Sequence, residues 1–307
     1  MLDIVQVSDI HLSPTHAWFQ DNWDVFVEAM AADPPDFIFV TGDVCVNGPD
    51  REHEFAYARE QLDRLSVPWR AIPGNHDSGD TPPDERNHHP LTEPLRQTFR
   101  ETIDEDFWLH DLANWRFIGL NAQLMDSGLP SEPVQWAFLE QALGDAAGRQ
   151  LAIWVHKPLF VRKIEDPNRF LTALFPEARA RMIGLCSRYG VKLVGSGHLH
   201  RFRRQRVGDT RLIWAPSTAF LMGARKGLPG MARLGYMRYR FGRSSFTARL
   251  IEPPLFLNLD VRNWNAHKGS TIHLPPRLPR PATGEPLPRT DLLGEANPPG
   301  GRSVKNG

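Results

Sequence analysis

The sequence predicts an α/β protein built around a mostly parallel sheet, and two observations predict it. Short apolar runs alternate with helix-like segments, the pattern of parallel strands joined by crossover helices. Side chains suited to metal binding also recur just past several of those runs, as happens when strand ends deliver ligands to one place. In order, residues 4–7 read as a strand and 23–31 as a helix. Residues 37–40 read as a strand, 52–65 as a helix and 69–72 as a strand. Residues 134–143 read as a helix, because Trp136, Leu139 and Leu143 share one face at three- and four-residue spacing. Strands at 151–155 and 191–194 flank a helix at 176–189, and 235–241 with 246–250 read as a hairpin.

Two stretches depart from the alternation. Residues 78–93 are polar and proline-rich, a long loop of the kind that serves as a binding element beside an active site. Residues 78–115 together read as a substrate-pocket or oligomer insertion. Phe99, Phe107, Trp108 and Trp115 within them are expected to pack a core or contact, with nucleobase stacking as the alternative. From about residue 263 the chain reads as a Pro/Gly-rich extension, extended or disordered, following a catalytic domain over 1–262.

Composition narrows the function. The 307 residues carry 36 Lys plus Arg and 36 Asp plus Glu, so the net charge is zero. That balance argues against a dedicated nucleic-acid or anionic-membrane binder. Only Cys45 and Cys186 are present, which fits a reducing compartment better than a disulfide framework. No apolar stretch approaches the length of a membrane span, and the N-terminus reads without a signal peptide. The expectation is a cytoplasmic protein, with a homo-oligomer left open.

Five short stretches carry the chemistry: Asp9-Ile10-His11, Gly42-Asp43, Gly74-Asn75-His76-Asp77, His156, and Gly197-His198-Leu199-His200. Residues two apart in an extended chain point the same way, so Asp9 with His11, and His198 with His200, can each converge on one place. Asp43 has two oxygens and can bridge two cations. Asn75 offers a neutral amide oxygen suited to a hard cation. Read singly, the stretches have metal-free readings as a loop cap, a turn or a surface histidine, and only Gly197-His198-Leu199-His200 favours ligation by itself. Read jointly they supply two carboxylates, one amide oxygen and four imidazoles, enough for two metal ions sharing a ligand.

These motifs resemble those of the calcineurin-like metallophosphoesterases, whose series runs Asp-x-His, Gly-Asp, Gly-Asn-His-(Asp/Glu), His, Gly-His-x-His. The resemblance extends from residue 4 to about 218. It implies a four-layer α-β-β-α sandwich with both metals at strand ends. It also implies that Asp9, His11, Asp43 and His200 bind the first ion, and that Asp43, Asn75, His156 and His198 bind the second. His76, backed by Asp77, would face the phosphate and aid departure of the leaving group. Gly-Asn-His-Asp, with Gly48 and Glu54, is similar to the bacterial branch acting on cyclic nucleotides and glycerophosphodiesters. The stretch Val44-Cys45-Val46-Asn47-Gly48 lacks the Asp-Arg-Gly of the protein Ser/Thr phosphatase branch. Where the diesterase branch often carries His-His-Pro-Pro, this chain has His156-Lys157-Pro158-Leu159, so Lys157 is new beside a ligand.

Charge counting supports the same chemistry. Two divalent ions with Asp9, Asp43 and a bridging hydroxide leave a net positive site that attracts a phosphate oxygen. Metal coordination lowers the pKa of water to about 7, and paired ions can hold a nucleophile and a phosphate for in-line attack. Mixed oxygen and nitrogen ligands suit Mn²⁺, Fe²⁺/Fe³⁺ or Zn²⁺ better than Mg²⁺. The imidazoles must be neutral to bind, so activity is expected to fall in acid. The expected substrate is a small phosphodiester. The alternatives are a phosphomonoesterase, a nuclease of the same fold, or a metal-binding scaffold without catalysis. Lys157, Arg162, Arg201, Arg203 and Arg204 are candidates to meet the extra charge of a monoester. Ser217 and Thr218 are candidates to lie near the site.

Overall fold

The computed structural model describes residues 1–82, 89–167, 172–222 and 228–260. The extension expected at 263–307 lies outside the described residues. The first half of the chain builds one sheet from its strand–helix units. β1 (Leu2–Val7), α1 (Gln20–Ala32), β2 (Phe37–Thr41), α2 (His53–Leu62) and β3 (Trp69–Ile72) follow in order. After a single-turn α3 (Asn75–Ser78) and α4 (Glu93–Thr102), the chain crosses to a second sheet. That sheet begins with β4 (Trp108–Leu112) and β5 (Trp115–Leu120). It continues through α5 (Glu132–Gly144), β6 (Gln150–Val155), α6 (Pro176–Tyr189), β7 (Leu193–Ser196), β8 (Arg203–Val207) and β9 (Thr210–Trp214). The hairpin β10 (Tyr236–Phe241) and β11 (Phe246–Ile251) then returns to the first sheet.

The strand orders are β11-β10-β1-β2-β3 and β4-β5-β6-β7-β9-β8. β1, β2 and β3 run parallel, as do β5, β6, β7 and β9, while β10, β11, β4 and β8 close the edges antiparallel. The central strands are apolar on both faces because both faces are covered. Alternate residues go to different cores. Val5, Ile38 and Val40 meet Trp23, Phe26, Phe55 and Phe99 on the helical side. Ile4, Phe39, Phe117, Trp154 and Tyr239 fill the space between the two sheets. Ile153, Val155 and Val194 meet Trp136, Leu139 and Met182 beneath α5 and α6. The architecture is therefore the expected α-β-β-α sandwich.

The expected elements are present, with ends shifted by a few residues where helices begin earlier or a strand starts later. The described part of 78–115 contributes α4, β4 and the start of β5. Phe99, Trp108 and Trp115 are core residues, so packing accounts for them without a nucleobase. β4, β5, β8, β9 and α4 have no counterpart in the sequence reading. β8 is a polar edge strand, Arg-Arg-Gln-Arg-Val, whose alternate residues are exposed, and it carries no apolar run to mark it.

Candidate metal centre

The metal-binding side chains sit on the loops that leave the C-terminal ends of five parallel strands, three from the first sheet and two from the second. β1 leads to Asp9 and His11, β2 to Asp43, and β3 to Asn75 and His76. β6 leads to His156, and β7 to His198 and His200. Chain hydrogen bonds lock these loops together. The Asp9 amide donates to the Gly42 carbonyl, and the amides of Ile10 and His11 both donate to the Asp43 carbonyl at 3.0 Å. Asp9, His11, Asp43, His198 and His200 all have left-handed backbone conformations, with φ between 47° and 69°. Such conformations are uncommon for residues with a side chain and cluster where a site over-determines them.

The glycines of the motifs have a steric reason. A Cβ on Gly74 would lie 2.1 Å from the Asp43 Oδ1 atom, one on Gly197 would lie 1.8 Å from the Ser8 Oγ atom and 2.6 Å from the Asp9 Oδ2 atom, and one on Gly42 would meet the His156 ring at 2.4 Å. Each glycine lets a ligand from another strand pass over its backbone. Gly197→Ala is expected to cost about 1–3 kcal/mol by overpacking and to displace Asp9. Thermal melting together with metal titration of that variant checks this. Wild-type metal affinity in Gly197→Ala would show that the close approach is not required.

Two clusters result. Asp9, His11, Asp43 and His200 form one, and Asp43, His156 and His198 form the other, with ligand atoms within 4.8 Å of one another in each. Asp43 belongs to both. Its Oδ2 atom lies 3.8 Å from His11 Nε2 and 3.3 Å from His156 Nε2. His200 Nε2 lies 3.3 Å from Asp9 Oδ1 and 3.3 Å from His11 Nε2. His198 Nδ1 lies 3.1 Å from His156 Nε2. Backbone carbonyls select the ring atoms that face inward. His156 Nδ1 donates to the Thr41 carbonyl at 2.8 Å and His200 Nδ1 donates to the Phe220 carbonyl at 2.9 Å, leaving both Nε2 atoms for the site. Asp9, His11, Asp43, His156 and His200 are sealed from solvent, whereas Asn75, His76 and His198 are partly exposed and form the mouth.

Electrostatics favour a bound cation. Burial alone would raise the Asp9 carboxyl, but the facing His200, its hydrogen bond and His156 bring it to about 2. Burial likewise opposes ionisation of Asp43, yet His156 and His76 hold its carboxyl well below the usual range. Burial pushes His198 down to about 4, helped by His156, and pushes His11 down, helped by His76. His156 goes the other way: burial is outweighed by the Asp43 carboxylate, and it rises to about 9. Two carboxylates held ionised, with His11 and His198 held neutral, leave a pocket of anionic and lone-pair donors. The Asn75 Oδ1 atom is buried without a hydrogen-bond partner. Buried acceptors are nearly always satisfied, and an orphaned amide oxygen on the turn whose Gly74 and His76 backbone meets Asp43 fits a cation ligand. The donor set thus fits metal binding.

The geometry separates the roles of His76 and Asp77. The resemblance implies Asp77 behind His76, but the His76 ring is held by the Val46 carbonyl, to which Nδ1 donates at 2.6 Å. Asp77 accepts from the backbone amides of Val44, Cys45 and Gly74 at 2.7–3.2 Å and so shapes the Asp43 loop instead. Burial and the neighbouring Asp43 raise its carboxyl to about 6. Four of the five cationic candidates, Lys157, Arg201, Arg203 and Arg204, have protein partners. Lys157 is buried and pairs with Asp80 and Thr81. Arg201 donates to the carbonyls of Pro229 and Gly230, Arg203 to that of Val161, and Arg204 to that of Ala248. Ser217 does lie against the site, donating to the Asp9 carbonyl at 2.8 Å. Its signal, a Pro-Ser-Thr turn, is common enough to carry little weight alone. Among the described residues no helix is long and apolar enough to cross a membrane.

Residues 2–202 match the family model of the calcineurin-like phosphoesterases. A probable glycerophosphodiester phosphodiesterase of Arcobacter nitrofigilis is 26% identical over 284 residues, 88% of this chain and 91% of that protein. A human serine/threonine-protein phosphatase, CPPED1, is 28% identical over 178 residues, 54% of each chain. Among solved structures, a purple acid phosphatase from yellow lupin seeds superposes with a TM-score of 0.61 at 14% identity, covering 84% of this chain and 52% of that one. That likeness concerns the fold.

Proposed function

The chain belongs to the calcineurin-like phosphoesterase family and is a metal-dependent phosphoric ester hydrolase; on that premise we propose that it is a dinuclear phosphodiesterase of small molecules, of the glycerophosphodiester or cyclic-nucleotide type. The observation that carries the reading is Asp43, shared between two clusters of candidate ligands, with the unpartnered Asn75 oxygen on the adjoining turn. Asp9, His11, Asp43 and His200 would hold one ion, and Asp43, Asn75, His156 and His198 the other. When bound, such a pair supplies Lewis-acid stabilisation of phosphoryl oxygens and a water ionised near neutral pH. The metal set Mn²⁺, iron or Zn²⁺ follows from the mixed oxygen and nitrogen donors.

The remaining chemistry falls to the chain. His76 stands at the mouth with Nδ1 tied to Val46, so its Nε2 is the atom that can protonate the departing alkoxide. Asp77 keeps the Asp43 loop in place by accepting from the amides of Val44 and Cys45. Preference for a diester follows from charge. A diester carries one negative charge and a monoester up to two, and Lys157, Arg201, Arg203 and Arg204 are already engaged by protein oxygens. The match to a glycerophosphodiester phosphodiesterase over most of the chain supports the same direction. The half-length match to a protein phosphatase supports monoesterase activity as the second reading.

The test compares bis(p-nitrophenyl) phosphate with p-nitrophenyl phosphate on Mn²⁺-loaded protein. The expected result is faster diester turnover that falls on the order of 10- to 100-fold in Asn75→Ala, the scale of weakening one metal site. Faster monoester turnover would move the assignment to a phosphatase. Turnover of neither, with metal bound, would sink the general diesterase reading.

A further inference from the structure

The wall behind the first cluster is a short segment, residues 217–220, that follows β9. Ser217 donates its hydroxyl to the Asp9 carbonyl at 2.8 Å and accepts from the amides of Ala219 and Phe220. The Phe220 carbonyl accepts from His200 Nδ1, and its ring lies 4.3 Å from the His200 ring and 5.0 Å from that of His11. The segment therefore touches three of the four residues of that cluster. It touches His200 at the atom that sets the ring orientation.

One buried side chain on α1 holds this wall. Asn22, 1% exposed, donates its amide nitrogen to the carbonyls of Thr218 and Ala219 at 2.9 and 3.2 Å and to that of Leu257 at 3.0 Å. Its oxygen accepts from the Leu257 amide at 2.6 Å. The carboxamide thus joins helix α1, the wall and the 256–259 segment. It does so with both donors and the acceptor in use, which other side chains of this size do not match. None of these four bonds of Asn22 reaches a cluster residue. Its influence on the metal centre runs through the Phe220 carbonyl and the Ser217 hydroxyl.

We propose that Asn22 is a positioning residue for the Asp9–His11–Asp43–His200 cluster, holding the 217–220 wall that orients His200 and Asp9, and so controls the affinity of the first metal ion selectively. The inference rests on the two-ion reading above. Groups that orient ligands in this way typically change metal affinity about 10- to 100-fold when removed. In the second cluster the His156 ring is oriented by the Thr41 carbonyl, and the His198 ring is not held by the wall, since His198 meets Asp9 only through its backbone amide, at 3.1 Å; this site should therefore respond to Asn22 far less than the first.

Mn²⁺ titration of full-length, metal-free protein, followed by electron paramagnetic resonance, tests this without any substrate. Wild type should bind two ions. Asn22→Ala should weaken one of them roughly 10- to 100-fold and shift the other far less. Ser217→Ala, which releases the wall from Asp9 by a different bond, should weaken the same ion. In a His11→Ala background, where the first site is already disabled, Asn22→Ala should leave the remaining affinity unaltered. Equal weakening of both ions, no weakening, or loss of fold in both Asn22→Ala and Ser217→Ala would overturn the proposal and leave Asn22 a general stabiliser. Failure of wild type to bind two ions would instead defeat the dinuclear reading itself.

Discussion

Asp43→Ala is expected to remove both metal sites in one substitution and to lower diester hydrolysis by on the order of 10³-fold or more, the scale of losing several kcal/mol of charge stabilisation in the transition state. Asp43 is the one residue common to the two clusters, and its Oδ1 atom also accepts the His76 amide at 2.9 Å. The substitution therefore disturbs both ions and the approach of the proton donor together. His11→Ala and His156→Ala set the comparison, because each lies in a single cluster and should spare the other ion. Metal content after dialysis and kcat/KM for bis(p-nitrophenyl) phosphate give the two readouts. One ion retained at wild-type affinity in Asp43→Ala would show that the clusters do not share this carboxylate.

Much of this centre was legible because its parts lie in short, local patterns. Asp9-x-His11 and His198-x-His200 are two residues apart, and Gly42, Gly74 and Gly197 precede ligands in the sequence. The structure gives the glycines a sharper reason than a turn: each is where another strand's ligand crosses the backbone. What stayed hidden depends on contacts between distant parts of the chain. Asn22, just ahead of the helix read at 23–31, belongs to no motif, and its four bonds reach residues nearly 200 or more positions away. Asp77 reads as a partner for its neighbour His76, but its acceptors point back to the β2 loop. The second sheet was partly missed for a similar reason. β8 is stabilised by pairing with β9 rather than by its own hydrophobicity.

Lys157 shows the same limit, and it leads to the largest stability effect expected. From sequence it stands beside His156 as a new cation for the phosphate pocket. In the structure its ammonium group is buried at 1% exposure and paired with Asp80, with Thr81 accepting at 3.0 Å. The pair pins the start of the loop after α3 to the end of β6. Asp80→Asn should leave the Lys157 charge buried without its carboxylate and cost about 3–5 kcal/mol. That corresponds to a fall in melting midpoint of roughly 10 °C for a domain of this size. Adding Lys157→Met to Asp80→Asn removes the stranded charge, and replacement of a buried pair by less polar groups is often close to neutral. The double variant should therefore recover most of the loss. This rescue separates a buried ion pair from a phosphate-binding lysine. If Lys157 served the substrate, Lys157→Met would raise KM for the diester and the double variant would stay impaired in catalysis while regaining stability. With Lys157 engaged by Asp80, KM in the double variant should instead stay near the wild-type value.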